Sequence, residues 1–431
     1  MVAAGTLGLL VVAAGASLFM AWAIGAGSSG STPFAPAVGA NAISVMRAGF
    51  YVGILGLAGA VLQGANVTEA VGEELIGGVT LSPTAAIIAL VTAAVLVAIG
   101  VFTGYPIATA FTVTGAVVGV GLALGGDPAW AKYRQIAALW VLTPFLGGGA
   151  AYATARFLRS ERVIERVAVP LLAGVVGLLL ANISFVVLGP PGEQFSLAQA
   201  TVARVGGGLA VHVGVSLALA AVVALALARD MAGDPARGQR HFLLALGGLV
   251  AFSAGGSQVG LAIGPLLPLS GTVGIPLVAL LVGGGLGLLV GSWTGAPRMI
   301  KALSQDYSSL GPRRSIAALI PSFAIAQTAV FFGIPVSFNE IIARARGQLR
   351  CLRGRRRSRV TVIDTAESSR VCRNHGVWRY CGYRDRHESP RPCGQRIVGQ
   401  FSATWTGPRR SYSMWSATDS ARSAPNSRSS R

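Results

Sequence analysis

Ala26-Gly27-Ser28-Ser29, closing with Ala35-Pro36, returns in the same chain as Ala254-Gly255-Gly256-Ser257, closing with Gly264-Pro265. Gly64-Ala65-Asn66 returns as Gly295-Ala296-Pro297, and Gly104-Tyr105-Pro106-Ile107 as Gly333-Ile334-Pro335-Val336. The offsets are 228, 231 and 229 residues, so three landmarks keep their order and nearly their spacing. Set inside apolar sequence, they read as an internal duplication, the usual build of a secondary transporter.

The 431 residues are 52% hydrophobic, with 58 Gly and a mean hydropathy of +0.62. That composition belongs to the membrane class. A net charge of +19 suggests a nucleic-acid binder until its distribution is read. Residues 343–431 hold 20 of the 35 basic and 5 of the 16 acidic side chains, giving them +15 and the remainder only +4. All four cysteines also lie in that tail.

Runs long enough to span about 30 Å of hydrocarbon are expected near 1–25, 45–65, 84–102, 106–124, 136–158, 167–188, 205–228, 242–263, 273–293 and 315–334. The first lacks a basic leader and reads as a retained helix, not a secretory signal. Basic clusters at Arg156–Arg166, Arg229–Arg240 and Arg298–Arg314 recur every second loop, which assigns them to the cytoplasm. The acidic loop with Glu69, Glu73 and Glu74 then falls outside, as does the N-terminus; Lys132 and Arg134 share that side against the rule. Seven spans separate the two copies. An odd number makes them an inverted repeat, with the site expected near the midplane where broken helices meet.

The expected fold is therefore all-α: a polytopic transmembrane bundle with inverted repeats and broken or re-entrant helices. Residues 1–228 hold the first repeat with its connecting helices, 229–342 a second, incomplete repeat, and 343–431 a basic tail. That tail is Arg-, Ser- and Trp-rich, has no lysine and no periodicity, and reads as a frameshift product of GC-rich coding. Its Cys and His spacings fit no paired zinc scheme.

Two kinds of segment interrupt the apolar runs. Gly25–Pro33 and Ser253–Gln258 are too rich in Gly and Ser for a stable lipid-facing helix, and such backbone survives at membrane depth only inside protein or against a cavity. Pro106 with Thr109, Thr112 and Thr114, and Pro335 with Ser337 and Asn339, are each expected to open a half-helix with free N–H groups. Helix N-termini and hydroxyls together suit a tetrahedral oxyanion. The substrate-binding candidates are Ser28, Ser29, Ser31, Thr109, Thr112, Ser253, Ser257, Gln258, Ser337 and Asn339. The plain alternative is that small residues simply let helices approach. Ionisable groups are few: Glu69 and Glu340 are candidates for ion coupling, His212 sits mid-span, and Arg47 and Arg204 snorkel.

At these residues the chain resembles the inorganic phosphate transporter (PiT) family, which carries a duplicated G-A-N-D-x-A-N signature, each copy followed by a P-V-S-T-T-H-like segment. The resemblance covers roughly residues 15–342. Ala23–Ala26 with Ala37-Val38-Gly39, then Gly64–Glu69, are similar to the first copy; Phe252-Ser253, Val259 and Ala262–Leu266 to the second; Pro335-Val336-Ser337 and, in part, Pro106-Ile107 with Thr109 to the downstream segments. Where the family has Asn-Asp, this chain has Gly27-Ser28 and Ser257-Gln258, and Phe111 and Glu340 stand at the terminal histidines. The family's aspartates are implicated in cation coupling.

The function expected is a permease for inorganic phosphate, cation-coupled, working by alternating access, with a permease for sulfate or another oxyanion, or a membrane-anchored adaptor acting through the basic tail, as alternatives. No clustered carboxylates support a lipid transferase, and no cofactor, metal or nucleic acid is expected. The expected partners are the oxyanion and the bilayer, with a sodium ion or proton and a second copy of the chain as further ones.

Overall fold

The computed structural model describes residues 4–160, 165–190, 193–307, 311–339 and 341. The basic tail and Glu340 lie outside the described residues.

The first part of the chain runs as α1 (Ala4–Ile24), a wider π-type turn (Gly25–Ser29), the short α2 (Ala35–Gly39), α3 (Val45–Gln63) and α4 (Ala65–Glu73). It continues through β1 (Ile76–Gly77), α5 (Pro83–Thr103), α6 (Thr109–Ala123), β2 (Asp127–Pro128), α7 (Trp130–Phe157) and α8 (Glu165–Ala181). Then follow β3 (Ser184–Phe185), β4 (Phe195–Ser196), α9 (Leu197–Val205) and α10 (Gly208–Gly233). The last part is α11 (Pro235–Ile263), a tight 3-10 turn (Gly264–Leu266), α12 (Leu267–Val273), α13 (Leu277–Thr294), α14 (Ala296–Lys301) and α15 (Pro312–Phe331). The strands form two antiparallel pairs of two residues each, β1 with β2 and β3 with β4.

Each of the ten expected spans corresponds to a helix, and eight are long and apolar enough to cross a membrane. Two fall short. The 106–124 span becomes the 15-residue α6, because the chain leaves α5 through Gly104 at φ +74° and stays non-helical to Ala108. The 167–188 span stops at Ala181, where Asn182 turns its side chain back onto Leu178 O at 2.9 Å. Leu7, Val11, Phe50, Val141, Phe145 and Leu217 lie exposed on the outside of this bundle, as lipid-facing positions of a multi-pass membrane protein do.

One order of elements recurs along the chain. α1, its turn, α2, α3 and α4 are repeated by α11, its turn, α12, α13 and α14, with the same helix break at Gly64 and at Gly295. Packing is reciprocal: α1 lies on α5 and α13, while α11 lies on α15 and α3. Glycines mark both crossings. A Cβ on Gly25 would meet Leu288 O, and one on Gly255 would meet Gly56 O; one on Gly291 would meet Trp22 O, and one on Gly59 would meet Phe252 O. In each pair the glycine and its partner stand in opposite parts of the chain. These contacts equate Gly25 with Gly255, a shift of 230 residues and two more than Ala26 and Ala254 suggest.

Ser17 Oγ donates to Ala262 O at 2.8 Å, whereas Ser28 Oγ accepts from Gln258 Nε2 at 3.0 Å. The partners fall in opposite order along the two segments. Lys132 pairs with Glu74 at 2.6 Å and donates to Phe332 O at 3.3 Å, which puts the ends of α4 and α15 and the start of α7 on one face. That ion pair also explains why Lys132 sits on the acidic side. At the other face, Arg240 Nε donates to Ala42 O at 2.8 Å, joining the start of α11 to the chain entering α3.

Candidate functional site

Ser28 lies at the end of α1, where the helix widens and stops. Ser28 O accepts from the Thr32 N–H at 3.1 Å and from Thr32 Oγ1 at 2.9 Å, which folds Gly30–Phe34 back into the protein. The whole segment from Gly25 to Val38 is buried, so its broken backbone is enclosed by protein as expected.

Its counterpart behaves differently. Ser253, Ser257 and Gln258 lie within the regular helix α11, which is unbroken to Ile263, so the expectation of an interrupted segment at Ser253–Gln258 is corrected. The small residues there serve close approach: Gly255 and Gly256 face α3 and Gly260 faces α4, so helix packing uses them without breaking the ladder. The proline expectation is also adjusted. Pro106 and Pro335 stand in extended links, and the helices resume at Thr109 and Phe338. Gly333, at φ +61°, makes the turn in the second copy that Gly104 makes in the first.

These segments converge. Gln258 Nε2 donates to Ser28 Oγ at 3.0 Å and to Val336 O at 3.1 Å. Asn339 Nδ2 donates to Gly27 O at 3.1 Å and to Ile107 O at 2.9 Å, and its Oδ1 accepts from Thr32 Oγ1. One amide from each of α11 and the Pro335 segment therefore ties the broken end of α1 to both proline links. Ser28 and Gln258 are themselves repeat equivalents at the 230-residue offset, so the copies meet at matching positions.

Several side chains close in sequence to these contacts are buried and unusually idle. Thr109 Oγ1, Ser257 Oγ, Ser337 Oγ and Gln258 Oε1 have no hydrogen-bond partner, nor has Thr114 Oγ1 one turn along α6. An unsatisfied buried polar group costs about 1–3 kcal/mol, which makes such a group a pointer to something it binds. Among the described residues the buried polar side chains are all Ser, Thr, Asn or Gln, with no charged group.

Other candidates are occupied or elsewhere. Ser31 Oγ returns to Gly27 O at 3.0 Å, Ser29 Oγ to Ile24 O at 3.4 Å, and Thr112 Oγ1 to Ala108 O at 3.1 Å. Ser253, one turn before Ser257, is bound to Gln327. Glu69 is exposed on α4, away from the junction; partial desolvation first, then the charges of Glu73 and Glu74, hold its carboxyl above the usual carboxylate range. His212 is a bundle histidine, with Nε2 2.7 Å from Asn182 Oδ1. Sequence reasoning missed Gln63 and Gln327, whose signal was an amide alone in an apolar span.

A bundle of apolar spans, duplicated and enclosing an uncharged polar centre where its copies meet, defines a polytopic membrane transporter. The phosphate transporter family model matches residues 9–346, and this chain belongs to that family. The family is one of transporters, not of enzymes.

Among its relatives, the Thermococcus kodakarensis protein named "Putative phosphate permease TK2061" is 25% identical over 348 residues, covering 76% of this chain and 84% of that protein. "Inorganic phosphate transporter 2-1, chloroplastic" of Arabidopsis thaliana is 23% identical over 377 residues, covering 76% and 63%. A solved structure titled "The sodium-dependent phosphate transporter" superposes with a TM-score of 0.66 at 22% identity, covering 83% of this chain and 92% of that one. That likeness carries the fold.

Proposed function

We propose that this chain carries inorganic phosphate across the cell membrane by alternating access, together with a cation, at the junction of Ser28 and Gln258. The observation behind this reading is the set of buried, partnerless hydroxyls at Thr109, Ser257 and Ser337 around a centre without charge. Hydroxyls can donate to each oxygen of a tetrahedral anion, and the N-terminus of α6 at Thr109 adds a favourable dipole.

An uncharged centre holds phosphate but does not neutralise it, and an unpaired ion in a low-dielectric interior is costly. Each negative charge carried inward also works against about 2.3 kcal/mol per 100 mV of membrane potential. A cation entering with the anion removes both penalties. Gln258 Oε1, unpartnered, and the carbonyls of Gly27, Val336 and Ile107 are neutral oxygens of the kind a hard cation takes. On this reading α1 and α11, as oppositely oriented copies, supply the two arms that rock about the site.

The test is labelled phosphate uptake into proteoliposomes holding the full chain. A sodium or proton gradient is expected to drive accumulation above the level reached without one. Uptake indifferent to both gradients would remove cation coupling. Sulfate at equal concentration discriminates the second reading, since hydroxyl donors serve any tetrahedral oxyanion: full competition would move the assignment to a broader oxyanion permease.

A further inference from the structure

A second polar group lies one turn from Ser257. Gln63, fully buried at the end of α3, donates Nε2 to Ser184 O at 2.9 Å. Gln63 and Gln327 of α15 each donate Nε2 to the other's Oε1 at 3.3 Å, and Gln327 Nε2 also donates to Ser253 Oγ at 2.5 Å. Ser253 and Ser257 share a face of α11, being four residues apart. Hydrogen bonds thus run from the β3 segment through Gln63 and Gln327 to Ser253, one turn before the idle hydroxyl of Ser257.

The outer end of this line is capped by the chain around β3 and β4. There Val186 N donates to Leu62 O at 3.1 Å, and Gln194 Nε2 donates to Asn66 Oδ1 at 2.7 Å, so the chain around β3 and β4 covers the break between α3 and α4. Phe185 and Phe252 close the flank, with ring centroids 6.0 Å apart.

The duplication supplies an internal control. The counterpart of Ser253 at the 230-residue offset is Ala23, and that of Gln327 at the 229-residue offset of the Gly104 and Gly333 turns is Ala98, both buried. The equivalent of Gln63 is Thr294, whose hydroxyl accepts from Trp22 Nε1 at 2.9 Å in an exposed position. Alanine therefore meets the packing demands of these crossings. The polar line exists on one side only, which packing does not explain.

We infer that Gln63 and Gln327 form a gate between the acidic face and the central site, clasped shut in this structure, and that it parts to admit an oxyanion. Two carboxamides bonded to each other offer the same donors and acceptors to an anion or to water once separated, so opening leaves no buried group unpaired. Ser253 and both Nε2 groups then line the way to Ser257. This inference rests on the transport reading above.

The test uses the full chain with its four native cysteines replaced by serine, carrying a Ser257→Cys reporter in sealed membrane vesicles. A membrane-impermeant maleimide is applied from each side, and a separate Glu73→Cys chain marks the acidic face. Gln63→Ala and Gln327→Ala are each expected to speed labelling about tenfold, as when a rare open state becomes common, and only from the side that labels Glu73→Cys. A Ser17→Cys reporter, buried but off the line, is expected to stay at the parental rate. Unchanged labelling, a rise from both sides, or a matching rise at Ser17→Cys would overturn the gate. Phosphate uptake is measured on the cysteine-free parent; its absence would count against the transport reading, while the labelling rates would still decide whether the gate exists.

Discussion

Gln258 donates its amide to the hydroxyl of Ser28 at 3.0 Å, and these two residues occupy the same position in the two copies of a duplicated unit. A contact between equivalents can arise only where the copies face one another, at the centre of their mutual relation. The four glycine contacts of Gly25, Gly59, Gly255 and Gly291 place close backbone crossings on both sides of it. The polar centre is thus held by packing that tolerates no side chain.

Adding one carbon at such a crossing is expected to be costly. In Gly255→Ala the new Cβ would overlap Gly56 O, a backbone atom that cannot rotate away. Overpacking of this kind costs about 1–3 kcal/mol or more. Gly15→Ala, with nothing within 4 Å, is the matched control and is expected to leave stability equal or higher by up to about 1 kcal/mol. Thermal unfolding in detergent reads both; equal melting temperatures would contradict the crossing geometry.

Asn339 is expected to act as a structural tie, since its amide is committed to protein on both sides. Asn339→Leu leaves Gly27 O and Ile107 O without their donor, with an expected loss of about 2–4 kcal/mol. A variant as stable as the parent would show that these bonds carry little.

Glu69 gives a pH dependence whose sign follows from its surroundings. Its carboxyl is held above the usual range by desolvation first, then by Glu73 and Glu74. In the window between the ordinary value and the raised one, the folded chain binds a proton that the unfolded chain has released. Stability therefore falls as pH rises through that window. Glu69→Gln is expected to flatten the profile of melting temperature just above the ordinary carboxylate range, and an unchanged slope would contradict the assignment.

Much of this architecture was legible in the sequence because apolar runs and Gly/Pro punctuation are local signals. The breaks at Gly64 and Gly295 and the turns at Gly104 and Gly333 stand where those residues stand. The conformation at Ser253–Gln258 was not legible. Gly-Ser-rich sequence looks alike whether it breaks a helix, as after Ser28, or lets one pass close to a neighbour, as at Gly255. Only the opposing backbone of α3 decides between them. Ser28, Gln258, Ser257, Thr109, Ser337 and Asn339 were singled out by repeat symmetry; hydrogen bonds tie Ser28 to Gln258 and Asn339 to Gly27, 312 residues away, contacts that no local signal carries. Gln63 and Gln327 carried no motif at all.

The central claim is that the idle hydroxyls around Ser28 and Gln258 hold the transported anion. The most direct measurement is equilibrium binding of labelled phosphate to the purified full chain in detergent, comparing the parent with Ser257→Ala and Ser337→Ala. Neither hydroxyl has a protein partner, so both variants should keep the parental melting temperature while phosphate affinity falls by about tenfold or more for each lost hydrogen bond to an anion. Parental affinity in both variants would place the anion elsewhere and contradict the account.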